Sequence, residues 1–143
     1  MKTEHNLSRF VSAQAGDYDI ALAEIRSGRK KSHWMWYIFP QIDGLGFSPT
    51  ARHYAIKNLD EARAYLAHPV LGPRLVAVCA ALLALPDRDA EPVFGWPDVL
   101  KLRSSMTLFA AARPEEPVFN RVLAKFYGGE PDPRTLELLG VAR

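Results

Sequence analysis

The stretch VLGPRLVAVCAALLAL, residues 70–85, decides the fold. Leu71, Leu75, Val78, Leu82 and Leu85 recur at helical spacing, and Val76, Cys79 and Leu83 widen the stripe until little of the circumference is polar. A helix this apolar belongs inside a protein or a bilayer. Its longest apolar run, 75–85, falls short of the roughly 20 residues that cross a membrane, so the sequence predicts a central core helix.

The flanks supply the layers that such a helix needs. Upstream, NLDEARAYLAHP (58–69) has Asn58 or Asp60 as a cap, Glu61 in the first turn where the helix dipole favours negative charge, and a stop at His68 before Pro69. His68 would place a cationic ring at that helix end. Downstream, PDRDAEPVFGWPD reads as a connector with one short helical turn near Val93. Asp98 then caps a helix reaching about Ala112, with Val99, Leu102, Met106 and Phe109 inward. Val118, Phe119, Val122, Leu123 and Phe126 repeat the pattern before Gly128, and a last short helix covers about 133–139. Near the start, Leu7, Phe10, Val11 and Gln14 share a face behind a cap at Asn6 or Thr3. Gly16 breaks the pattern, Asp17 caps a second helix, and Tyr18, Ala21, Leu22 and Ile25 follow before Gly28 stops it.

Residues 29–50 are the exception. RKKSHWMWYIFPQIDGLG (29–46) loses helical periodicity, and its Trp34–Phe39 run favours a strand or a buried extended segment that Pro40 limits. In an extended segment Trp34 and Trp36 would share one face, and His33, Met35 and Tyr37 the other. The expected architecture is mainly α: one compact helical domain over 1–143, with about seven helical segments and this irregular aromatic-rich segment.

Composition narrows the function classes. Hydrophobic residues make up 48% and charged residues 24%, as in an ordinary globular domain. A formal charge of only +2 gives no reason to expect a nucleic acid or membrane partner, so any electrostatic role must be local. The single cysteine, Cys79, reads as a buried apolar residue and excludes an internal disulfide framework. MKTEHNLSRF lacks the apolar core of a signal peptide, which makes a cytoplasmic location the expectation. There is no Walker loop, dinucleotide fingerprint, His-Glu-x-x-His, Gly-x-Ser-x-Gly or paired-cysteine signature, and the histidines at 5, 33, 53 and 68 show no ligand spacing; neither metal nor cofactor is expected. His5 is read as a surface residue.

What remains is a constellation. Six of the fifteen aromatics (Trp34, Trp36, Tyr37, Phe39, Phe47, Tyr54) fall within 34–54, interleaved with His33, Gln41, Asp43 and His53 beside Arg29, Lys30 and Lys31. Apolar walls with a few polar groups describe either a ligand pocket or a well-packed core loop. His33 is the candidate for proton transfer, or else a histidine hydrogen-bonded at the lip of the core. His53 and Tyr54 form a second candidate pair. On the helix from Asp98, Lys101, Ser104 and Ser105 emerge on the face away from the Val99–Met106 stripe; adjacent serines in mid-helix invite a ligand or a buried hydrogen bond. Gly44 and Gly46 permit close backbone approach to a ligand. The binding set is therefore Lys31, Ser32, Trp34, Trp36, Gln41, Gly44, Gly46, Lys101, Ser104 and Ser105, and an anionic small molecule fits its basic character.

Several blocks also carry a resemblance. SHWMWYIFPQIDGLG (32–46), YAI (54–56), AYLAHPVLGPRL (64–75), VFG..D..KLRSSMTLF (93–109) and F..VL.KFYGG..D..T (119–135) closely resemble bacterial domain-of-unknown-function family 1810 over nearly the whole chain. That resemblance implies a compact, largely helical cytoplasmic domain and brings no established catalytic residue. Some members carry the label calpastatin; calpastatins are disordered inhibitors, whereas this chain has a core-forming pattern. More remotely, TARHYAIKN (50–58) and KFYGG (125–129) are similar to blocks of the NADAR family, helical N-glycosidases of ADP-ribose-type nucleotides. That family has an acidic residue before its His-Tyr pair where this chain has Arg52. Three readings follow: a cytoplasmic protein with a pocket for an anionic or nucleotide-like molecule, a NADAR-like N-glycosidase, and a non-catalytic protein-interaction module.

Overall fold

The computed structural model describes residues 6–140, which form nine helical segments: α1 (Ser8–Ser27), α2 (Met35–Ile38), α3 (Pro49–His53), α4 (Leu59–Ala67), α5 (Leu71–Ala84), α6 (Glu91–Phe94), α7 (Asp98–Ala112), α8 (Val118–Tyr127) and α9 (Pro133–Leu139). The mainly α expectation holds. Thr3 and His5 lie outside the described residues.

As its sequence predicts, α5 buries Leu71, Leu75, Val78, Cys79 and Leu82, with α1, α4 and α8 packed around it. α4 and α5 meet at 88°, and the join is tight: a Cβ on Gly72 would stand 2.1 Å from the Leu66 carbonyl oxygen. The second layer centres on α7, which packs against α4, α8 and α9. Between the layers, Phe109 joins Tyr65 and Phe119 at ring distances of 5.3 and 5.8 Å, and Tyr65 meets the edge of Phe10 at 5.2 Å. No single helix among the described residues is long and apolar enough to cross a membrane.

Four local expectations are corrected. α1 runs unbroken through Gly16, because its buried residues Phe10, Gln14, Ala21 and Ile25 stay on one face across that glycine, and their burial exceeds the roughly 1 kcal/mol that a helical glycine costs. The Trp34–Phe39 run makes one helical turn rather than a strand. Consequently Trp34 and Trp36, two residues apart on a helical path, face nearly opposite ways: Trp34 is fully buried and Trp36 half-buried. Asp98 begins α7 without capping it, since its side chain accepts no hydrogen bond from the helix backbone. Nor does Asn6 cap α1, whose N-cap is Leu7 with no side-chain hydrogen bond to the helix. His68 ends α4 as read and also serves the neighbouring helix, its Nδ1 accepting from the Val70 and Leu71 amides at 3.1 and 3.3 Å where α5 begins.

Two other predicted signals act as read. Asn58 caps α4 through Glu61 N–H at 2.9 Å, and Gly28 ends α1 in the left-handed region at φ +82°. The loop after α2 is fixed by one parallel bridge, Ile42 to Ile56, in which Ile56 N–H donates to Gln41 O and Asp43 N–H to Ile56 O, both at 2.8 Å.

Candidate functional site

The predicted candidates fall into three environments, of which the two clefts share Gly46. Lys31, Ser32 and Trp34 lie around one carboxylate from α1. Glu24 Oε1 accepts from Lys31 N–H (2.7 Å), Ser32 N–H (3.0 Å) and the Trp34 indole (2.9 Å), while Oε2 accepts from the Ser32 hydroxyl (2.6 Å). Burial raises the pKa of Glu24, and these bonds outweigh it, holding the group at about 2. Trp34 thus belongs to the core, edge-on to Phe94. His33 stays exposed beside this anchor, and its imidazole lines neither cleft described below.

A second environment is an open cleft of about 710 Å³ holding His53, Gly44, Arg52 and Lys57, with Phe47 at its edge. Tyr54 turns inward against Tyr37 and Phe10 at 5.2 and 6.0 Å. Arg9 also borders this cleft, but its guanidinium is committed to the His53 and Ala55 carbonyls and to Glu61.

The third environment gathers half of the binding set. A cleft of about 330 Å³ opens between α2, the 41–46 loop, α7 and the start of α9, and Trp36, Gln41, Gly46, Lys101 and Ser104 all line it. This is at the small end of ligand pockets, which run from about 300 to 1,000 Å³. Lys101 Nζ stands 4.1 Å from the centre of the Trp36 ring and 3.0 Å from Asp98 Oδ1; Asp98 Oδ2 takes Lys30 Nζ, also at 3.0 Å. Burial works against the Asp98 charge, yet hydrogen bonds from Lys101 and Lys30 hold its pKa below the usual value. The basic run at 29–31 therefore contributes to this cleft indirectly, through Lys30 and the shared carboxylate.

Three charged cleft residues were not singled out by the sequence: Arg103, Asp132 and Arg134. Arg103 holds the α8–α9 loop by donating to the Glu130 and Pro131 carbonyls at 2.8 and 2.9 Å. Asp132 caps α9 through Oδ2, which accepts from Thr135 Oγ1 (2.5 Å), Thr135 N–H (3.2 Å) and Ser104 Oγ (3.0 Å); Oδ1 takes none of these bonds. The local signal was legible, because Asp-Pro-x-Thr opens a helix, but its proximity to Ser104 was not. The serines are also corrected. α7 is buried on most of its circumference, so Ser105 is fully enclosed with its hydroxyl unpartnered and only Ser104 reaches the cleft.

Two features of the cleft bear on its chemistry. Its lining carries three cations, Lys101, Arg103 and Arg134, against one carboxylate, Asp132. Its Gln41 side chain is 8% exposed with a buried, unpartnered Nε2. Among the described residues no group of three or more His, Cys, Asp or Glu side chains converges to hold a metal.

The fold is shared with a solved protein. The crystal structure of the conserved hypothetical protein Rv1873 from Mycobacterium tuberculosis matches with a TM-score of 0.93 and 51% identity, covering 96% of this chain and 98% of the other. No curated protein matches the chain. A family model described as "Protein of unknown function (DUF1810)" matches residues 4–139, and the chain belongs to that family.

Proposed function

We propose that this protein binds a small anionic, nucleotide-like molecule in the cleft between α2, α7 and α9. The observation that carries the reading is the convergence of Lys101, Arg103 and Arg134 with the half-buried Trp36 and the Ser104 hydroxyl around one concavity. Cations in a partly desolvated cleft attract phosphate or carboxylate more strongly than the same groups in open water, and a guanidinium adds a fixed fork of donors. Arg103 suits that task because its Nε and Nη2 are held by loop carbonyls, which restricts the side chain while Nη1 lies outside those bonds.

Thermal unfolding of the full chain with pyrophosphate, sugar phosphates and mononucleotides tests this. A ligand at 100 times its Kd stabilises by about 2.7 kcal/mol, or roughly 5–10 °C for a domain of this size. Arg103→Met and Lys101→Met should each shrink that shift. If no anion raises the melting temperature, the cleft is not an anion site.

One observation favours a hydrolytic version. N-glycosidic cleavage needs a carboxylate near developing positive charge on the sugar, and Asp132 Oδ1 supplies one in the same cleft despite Arg52 at the His53–Tyr54 pair. Assaying the same nucleotides for released base separates binding from cleavage.

A further inference from the structure

Gln41 carries more information than any other polar residue of the cleft. Its backbone is fixed on both sides, by buried Pro40 before it and by the Ile56 amide bonded to its carbonyl. That fixed stretch places Gln41 in the lining of the cleft. It is 8% exposed, and its Nε2 is buried with no hydrogen-bond partner among the described residues. Burying an amide without partners is costly, and native proteins leave very few such groups unless a ligand completes them.

The chemistry of the group narrows what completes it. A carboxamide offers a donor and an acceptor side by side, whereas a phosphate or carboxylate offers acceptors alone and would leave Oε1 facing like charge. The cations of this cleft suit the anion proposed above. Gln41 lies on the loop after α2 near Trp36, and Leu45, Pro97 and Leu100 make the rest of the lining apolar. A flat ring that carries neighbouring donor and acceptor atoms fits that lining.

Resting on the anion-binding reading above, we propose that Gln41 is the specificity-determining contact of the cleft and pairs with the amide or amidine edge of a heterocyclic base. The ligand class is then a base-bearing phosphate. Ribose 5-phosphate supplies the same anion without the base, so it is the control.

Affinities of the full chain for ribose 5-phosphate and for the four ribonucleoside 5′-monophosphates, measured by titration calorimetry, test the assignment. The wild type should bind at least one mononucleotide about tenfold or more tighter than ribose 5-phosphate, the discrimination that one good bidentate pair provides. Gln41→Met, which keeps size without polar atoms, should bring that ratio close to one. Gln41→Glu, which presents acceptors only, should do the same, and melting curves of both variants report whether they fold. A base preference that survives in the folded variants overturns the role of Gln41. Equal binding of ribose 5-phosphate and every mononucleotide by the wild type overturns this inference and leaves the anion site standing, whereas failure of every phosphate to bind overturns both.

Discussion

Glu24 is the most consequential single side chain outside the cleft, and acid titration reads its role directly. Its carboxylate accepts four hydrogen bonds from Lys31, Ser32 and Trp34, and its own carbonyl accepts Arg29 N–H at 3.0 Å, so one residue of α1 fixes the path from residue 29 into α2. Those bonds hold the carboxyl at about 2 against an ordinary value of 4.5. At about 1.4 kcal/mol per unit the shift amounts to roughly 3 kcal/mol, which partial solvent contact reduces to roughly 1–2 kcal/mol. Because the folded-state value is the lower one, this stability is fully present above pH 4.5 and is lost as the pH falls through about 2. Glu24→Gln retains the shape and an acceptor oxygen but not the charge. Urea unfolding of both proteins followed by circular dichroism should show the wild type more stable by about 1–2 kcal/mol at pH 7, with the gap constant down to about pH 5, narrowing below 4.5 and closing near pH 2. A gap of the same size at pH 2 and pH 7 would refute the reasoning, because hydrogen bonding to the charged form would then not be its source.

Two further substitutions probe the packing that positions the cleft. Gly72→Ala places a Cβ 2.1 Å from the Leu66 carbonyl oxygen, where backbone must yield; a loss of at least about 1–3 kcal/mol in denaturant unfolding is expected, and a neutral result would mean that the α4–α5 corner is looser than described. Lys125 closes the C-terminal end of α5 by donating to the carbonyls of Leu82, Leu83 and Leu85. Lys125→Met keeps the stem and removes the donors, so a loss of about 1–3 kcal/mol is expected, together with faster amide exchange in the last turn of α5.

These local devices explain which parts of the molecule were legible. Helix periods, the Asn58 cap and the Gly28 and Gly128 stops depend on residues three or four positions apart, and the core stripe of α5 follows from the same spacing. A glycine in mid-helix is ambiguous by the same logic. At Gly16 the outcome turned on burial on both sides of it: Phe10 and Gln14 before it and Ala21 and Ile25 after it are buried on one face of α1, which packs against α5 and α2.

The sequence by itself determined the helical class, the central place of 70–85 and the presence of a polar, aromatic constellation around residues 31–46 and 101–105. Only the tertiary structure decided how that constellation divides. Glu24 draws Lys31, Ser32 and Trp34 to one side, and a single turn at α2 sends Trp36 to the other, toward Lys101 on α7. Arg103, Asp132 and Arg134 join that second group through the packing of α7 against α9. The reason is physical: the period of a helix fixes which face a residue occupies, but which faces meet depends on long-range burial, and a binding site is a property of faces that meet.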